Sequence, residues 1–432
     1  MSEQDAAPAE DELEEVPAAG RASAAAVPGV PTDERIIRRE GLSGYVDDFV
    51  SRLRSGELGS LPVIFGLVVI VIVFQWQNNV FLTSFNLVSI AQFVAPTGII
   101  ATGVVLVLLL GEIDLSIGSV SGVAAAILAV LNVNHGMNAA LAVALAVAAG
   151  GVIGVLHGLV FTKLGVPSFV VTLAGLLVWF GLQLRILGET GSVNLPPDGP
   201  LVDFGQFGFV LNALAYVLAA VVAVLLFLTM LLQAVRRRAA GLAAQPVAEI
   251  AVRCALLFVL LAAVVYVLSR DRGVPWTLVV FLGLVVTVDF VLRRTRYGRA
   301  VYAIGGNIEA ARRAGLPVDR IRISIFMFAS AFAALGGVVL ACYLGGVDQA
   351  TGAGDTLVIA IAAAVIGGTS LFGGRGRAMS ALLGMLVIGA ISNGLLLLNL
   401  SSSLRYMITG AVLVASVVVD SLARRSRQAA GR

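Results

Sequence analysis

From residue 62 onward the chain is a succession of apolar runs, each close to the length of helix that a bilayer demands. They fall at 62–80, 86–109, 115–133, 139–161, 168–187, 211–233, 250–268, 274–292, 323–345, 356–372, 378–399 and 404–422. About 20 apolar residues span a hydrocarbon core as a helix. Inside that core each backbone polar group must find its partner within the protein. The reading is an all-α, polytopic membrane protein with about twelve transmembrane helices. Composition agrees: 59% of residues are hydrophobic and 13% charged, against about 25% charged in soluble domains. The 48 glycines supply the small surfaces that let spanning helices approach closely.

Charge orients the runs. With the N-terminus inside, Lys163, Arg236, Arg237, Arg238, the arginines of 293–322, Arg375, Arg377 and the basic tail all fall on the cytoplasmic side. The opposite loops hold His135, the Pro- and Gly-rich stretch 188–208, and the segments 269–273, 346–355 and 401–403. Arg270, Arg272 and Arg405 run against the rule; a slip of one span would reverse the bias downstream. Both ends are therefore expected in the cytoplasm. Residues 1–42, rich in Ala, Pro, Asp and Glu, read as a disordered cytoplasmic tail. No short apolar run with a small-residue cleavage site precedes the first span, so no cleaved signal peptide is expected. Segment 43–60 is amphipathic: Tyr45, Val46, Phe49, Val50 and Leu53 recur at helical spacing. It reads either as an interfacial helix or as one packed on the loops. The membrane domain covers 61–422, and 423–432 is a basic cytoplasmic tail.

Several functions are excluded by what the chain lacks. Cys254 and Cys342 sit in apolar runs, and His135 and His157 are isolated, so no disulfide framework or metal site is expected. Lys163 is the only lysine and is followed by Leu164, so no phosphate-cradling P-loop exists. A net charge of +3, carried by arginines flanking spans, orients helices and does not bind nucleic acid. No catalytic pairing of His, Ser or carboxylate is visible, and the chain reads as a non-enzyme.

The most informative polar segment is 298–318, which ends in AIGGNIEAARRAGLPV (303–318). Asn307 is a good N-cap, Glu309 sits in the first turn, and Gly315 with Pro317 supplies a stop. The predicted helix, 308–314, is too short to persist alone in water. Ile308, Ala311 and Ala314 share one side, with Glu309 and Arg313 as an i,i+4 pair on another, beside Ala310. It reads as a helix that presses into a partner's groove, or as an ordinary capped loop helix. In GEIDLSIGSV (111–120), Asp114 is placed to cap the next helix while Gly118 and Gly122 allow close packing. That turn either bends the chain near a translocation path or simply closes a cytoplasmic loop. In IAAAVIGGTSLFGGRGR (361–377), Gly367, Gly368, Gly373, Gly374 and Gly376 follow a slim helix and point to close packing and a tight cytoplasmic turn. Gln92, Gln183 and Asn393 are neutral amides inside spans, suited to sugar hydroxyls or to bonding a neighbouring helix.

These three stretches resemble those of permease subunits of sugar-importing ABC transporters of the ribose/xylose type. The resemblance runs from about residue 86 to 422. It departs at Glu112, where the family often has a second glycine. Three spans lie between 188–208 and 298–318, where compact ribose-type members have one; that extra helical pair points to the xylose type. The resemblance implies an ABC importer permease fold in the plasma (inner) membrane, with 298–318 as the coupling segment. It further implies a permease homodimer, a cytoplasmic ABC ATPase that binds the ATP, an extracytoplasmic sugar-binding protein, no cofactor in this chain, and xylose or another pentose as substrate. The competing reading is an ATP-independent secondary transporter or channel for a small neutral solute. It leaves 298–318 without a purpose.

Overall fold

The computed structural model describes residues 61–242 and 244–429. The 1–42 tail, the amphipathic segment 43–60 and positions 430–432 of the basic tail lie outside the described residues. Every expected apolar stretch contains a helix. The first half holds α1 (Leu61–Gln77), α2 (Ser84–Leu109), α3 (Ile117–Ala129, continued by a π turn, Val130–Asn134), α4 (Ala139–Lys163) and α5 (Ser168–Leu187). A short α6 (Pro200–Val202) leads to α7 (Asn212–Ala239), α8 (Val247–Ser269) and α9 (Trp276–Arg294). Then come α10 (Arg296–Gly306), α11 (Ile308–Arg313), α12 (Val318–Leu344), α13 (Asp355–Ile366), α14 (Met379–Leu397) and α15 (Ser402–Ala429).

Among the described residues nine helices are long and apolar enough to cross a bilayer: α2, α3 with its π turn, α4, α5, α7, α8, α9, α12 and α14. The run 356–372 differs from expectation. Its helix stops at Ile366, after 12 residues, or about 18 Å at 1.5 Å per residue. Gly367 packs against the Ser380 carbonyl and Gly368 turns with φ +101°, which ends the helix while the sequence is still apolar.

Two small antiparallel pairs tie loops together. β1 (Ser192–Asn194) pairs with β4 (Gly346–Asp348), and β2 (Phe209–Val210) pairs with β3 (Val274–Pro275). Three of the loops placed outside by charge, 188–208, 269–273 and 346–355, are thus tied in pairs by strands within or beside them. At the other end of the bundle Gly111, Gly305 and Gly373 meet. The chain between β4 and Gly373 therefore runs from one end of the bundle to the other in two pieces: the non-helical stretch 349–354, which lies against the start of α3, and then α13. Gly352 sits against the Gly118 carbonyl, Ser121 Oγ and Gly122 N. Irregular backbone of this kind is tolerated in a membrane protein only where protein or a cavity covers it.

The core forms around α2, whose most apolar window is 89% buried, while α7 and α8 are each 17% buried in theirs. Those two share clusters in which Ala215 joins Val265 and Leu268 and Ala234 joins Ile250 and Cys254, and they leave much of their remaining apolar surface open. By contrast α9 belongs to the core, with Phe281 against Gly98. The α7–α8 hairpin thus lies at the periphery. Within the bundle α4 and α12 are joined by a stripe at i, i+4, i+8: Gly150 lies on the Ser330 carbonyl, Gly154 on Phe326 and Met327, and Gly158 on Ile323. Such spacing lets two backbones touch and gain dispersion contact along their length. Gly154→Leu should therefore separate the pair at a cost of about 1–3 kcal/mol, read as a lower melting temperature of the purified protein in detergent. Gly181→Leu, where a Cβ meets nothing within 4 Å, should leave it unchanged.

Candidate functional site

The polar segment between α9 and α12 is two helices, not one. Sequence reasoning missed α10, whose signals were present: Thr295 Oγ1 accepts from Gly298 N at 3.1 Å as an N-cap, and Ala300, Val301 and Ile304 form a buried stripe at helical spacing. Two phenols pin it. Tyr297 shares a 2.7 Å hydrogen bond with Ser324 of α12, and Tyr302 donates to the Gly376 carbonyl at 2.9 Å. Burial pushes both phenols above the ordinary tyrosine range, so they stay neutral through physiological pH.

α11 runs from Ile308 to Arg313. Asn307 Oδ1 accepts from Ala310 N at 2.9 Å. The C-terminus is a Schellman motif: Leu316 N donates to the Ala311 carbonyl at 3.1 Å and Gly315 N to that of Arg312 at 3.0 Å. Gly315 has φ +78°, a left-handed position that β-branched residues resist. Two expectations are corrected. The stripe containing Ile308 and Ala311 faces the chain's own core: Ala311 is 4% exposed and Ile308 and Leu316 pack against the same cluster. The outward face consists of Glu309, Ala310, Arg312, Arg313 and Ala314. Nor does Glu309 pair with Arg313; Arg312 lies 3.9 Å from Glu309 and 4.0 Å from Asp319.

Beneath these helices the three sequence motifs converge. Gly374 N donates to the Leu109 carbonyl at 2.9 Å. A Cβ on Gly305 would overlap that same carbonyl and lie 2.7 Å from Gly374 N. One on Gly373 would lie 2.7 Å from Gly305 O and 2.8 Å from Gly111. Gly373 and Gly374 have φ of +83° and +69°, so the turn can be made this tightly only without side chains.

Glu112, the departure from the family pattern, adopts no left-handed conformation and is therefore unstrained. Its Oε1 accepts from Arg322 Nη2 at 2.8 Å and its Oε2 from Ser168 Oγ at 2.6 Å. Asp114 does not cap α3. It accepts from Ser116 N at 2.9 Å and Ser116 Oγ at 2.6 Å, and Ser116 itself stands at the N-cap position without a side-chain bond to the helix backbone it precedes. Ser116 Oγ lies 3.3 Å from His157 Nδ1, and Trp179 Nε1 donates to His157 Nε2 at 2.8 Å. Asp114 also helps line a cavity of about 150 Å³ with Val104, Leu108, Ile113, Ile117 and Ile361. Asp114 and His157, which no local pattern connects, thus belong to one buried polar chain.

The candidate pathway amides do not come together. Gln92 donates to the Gln206 carbonyl at 3.0 Å. Gln183 donates to the carbonyls of Thr351 and Asp348 at 2.9 and 3.1 Å. Asn393 and Asn86 bond each other reciprocally at 2.8 and 2.9 Å. Each ties a helix to a neighbour or to irregular backbone, as interhelical amides commonly do.

Glycine-tight packing and a capped, exposed helix thus gather the three sequence motifs at one end of the bundle. The protein family described as branched-chain amino acid transport system / permease component matches residues 86–417. The chain belongs to this permease family. It is similar to the xylose transport system permease protein XylH of Escherichia coli K12, 31% identical over 383 residues, covering 87% of this chain and 95% of the relative. XylH of Haemophilus influenzae is 30% identical over 371 residues, 86% and 98% of the two chains. The ribose import permease protein RbsC of Bacillus subtilis is 32% identical over 367 residues, 84% and 94%. No solved structure matches. The permease is a multi-pass inner-membrane protein and a non-catalytic transport component.

Proposed function

We propose that this permease is the membrane subunit of an ATP-driven importer that passes a neutral monosaccharide, xylose or another pentose first. It works as a homodimer fed by an extracytoplasmic sugar-binding protein and powered by a separate ATPase chain. The observation carrying this reading is the meeting of 298–318 with 109–112 and 372–376: α11 follows α10 across Asn307, and Gly305 of α10 touches the end of the central helix α2 and the turn after α13 by backbone. The relatives named for xylose and ribose transport, and the peripheral α7–α8 hairpin, support the substrate class. The arginine asymmetry supports cytoplasmic placement of α10, α11 and both termini, with about twelve crossings. In the proposed cycle, ATP-driven closure of the ATPases moves α11, and the bundle alternates between outward and inward access.

The test is uptake of labelled xylose into proteoliposomes holding the permease, its ATPase and its binding protein, with ATP enclosed. Uptake that requires ATP and is competed by ribose is the expected result. ATP-independent uptake, or transport of an amino acid with no competition by sugars, would contradict it.

A further inference from the structure

Two ionised side chains meet where neither composition nor the family pattern calls for them. Glu112 and Arg322 are 13% and 12% exposed and 2.8 Å apart. The guanidinium lies 4.6 Å from the Phe161 ring centroid, and the second carboxylate oxygen holds Ser168. One pair therefore joins the 110–116 segment to α4, to the first residue of α5 and to the root of α12. Removing two charges from water is costly and mutual attraction seldom returns much more than that cost. Stability is a weak reason for such a pair; a fixed relative position of its elements is a better one. Its location supports this. Only residues 314–317 separate α11 from α12, and Arg322 lies one turn inside α12. Beyond Glu112 the chain leads directly to Ile113, Asp114 and the start of α3.

We propose that Glu112 and Arg322 are a positioning pair that carries displacement of α11, through the root of α12, into the 111–116 segment and the start of α3. This inference rests on the ATP-driven reading above. A short, doubly held ion pair suits the task, since it transmits push and pull and fails abruptly when one charge is removed.

The experiment compares sugar taken up per ATP hydrolysed in the reconstituted complex of permease, ATPase and binding protein. Glu112→Gln keeps shape and an acceptor for Ser168 but removes the charge. Its uptake per ATP should fall about tenfold, a typical coupling between sites, while ATP hydrolysis persists. Combining Glu112→Arg with Arg322→Glu should restore most of the ratio. An unchanged ratio in Glu112→Gln, or hydrolysis and uptake lost together with no recovery in the charge-swapped protein, would overturn the proposal. A wild-type complex that takes up no sugar would overturn the ATP-driven reading instead, and that outcome is read before any variant is made.

Discussion

Gly305→Ala is expected to abolish transport, while Gly306→Ala, one residue on, is expected to leave it intact. The two substitutions are chemically identical and lie in the last turn of the same helix, outside the membrane spans. At Gly305 the added Cβ would overlap the Leu109 carbonyl and crowd Gly374 N, whereas at Gly306 it meets nothing within 4 Å. The obstructing atoms are backbone, so they cannot swing aside as a long side chain would. Relief requires α10 to lift from the end of α2, at about 1–3 kcal/mol for overpacking. Losing the Gly374 N to Leu109 carbonyl hydrogen bond adds about 1 kcal/mol. The bundle itself, built on α2, α4 and α12, should still insert and fold. Uptake assays and melting temperatures on the two variants check this. Equal transport by both would mean that the junction transmits nothing.

What the sequence revealed and what it withheld divide along physical lines. Apolar run length located every helix of the bundle, because the bilayer sets that length from outside the protein. Asn307, Gly315 and Pro317 placed α11 to within a residue, because caps act locally. The periodicity of Ile308 and Ala311 identified an apolar side but carries no information on whether that side meets the chain's own core or another protein. It meets the core. The end of α13 was half legible: the glycines from 367 marked the Gly-rich end of a slim helix, while apolar run length carried the span on to 372; the packing against Ser380 and the positive φ at Gly368 fix the stop at Ile366. Arg322 and Glu112 stand 210 positions apart, and no local pattern pairs them. The same holds for Asn86 with Asn393, which turned a candidate sugar contact into half of a helix clamp. Three separate motifs were legible one by one, while their convergence is a property of the fold.

The second large effect is expected at Ala310, which lies at the centre of the outward face of α11. Ala310→Trp should leave the permease folded and inserted, since exposed substitutions away from special features usually change stability by less than about 0.5 kcal/mol. It should weaken the ATPase complex by at least about 30-fold, the loss of roughly 2 kcal/mol typical of a disturbed interface centre. Ala311→Glu cannot serve this purpose. Ala311 is buried in the permease's own core, so a carboxylate there would damage α11 before any partner is met. Position 310 therefore separates docking from folding.

The most direct measurement places a photo-crosslinking residue at position 310, and in a second protein at Asn194 on β1 at the far end of the bundle, each in the complete transporter in membranes. Irradiation should join position 310 to the ATPase chain and leave position 194 free of it. An ATPase adduct at 194, or none at 310 in a complex that transports sugar, would contradict the assignment of α11 as the link between ATP hydrolysis and the membrane domain.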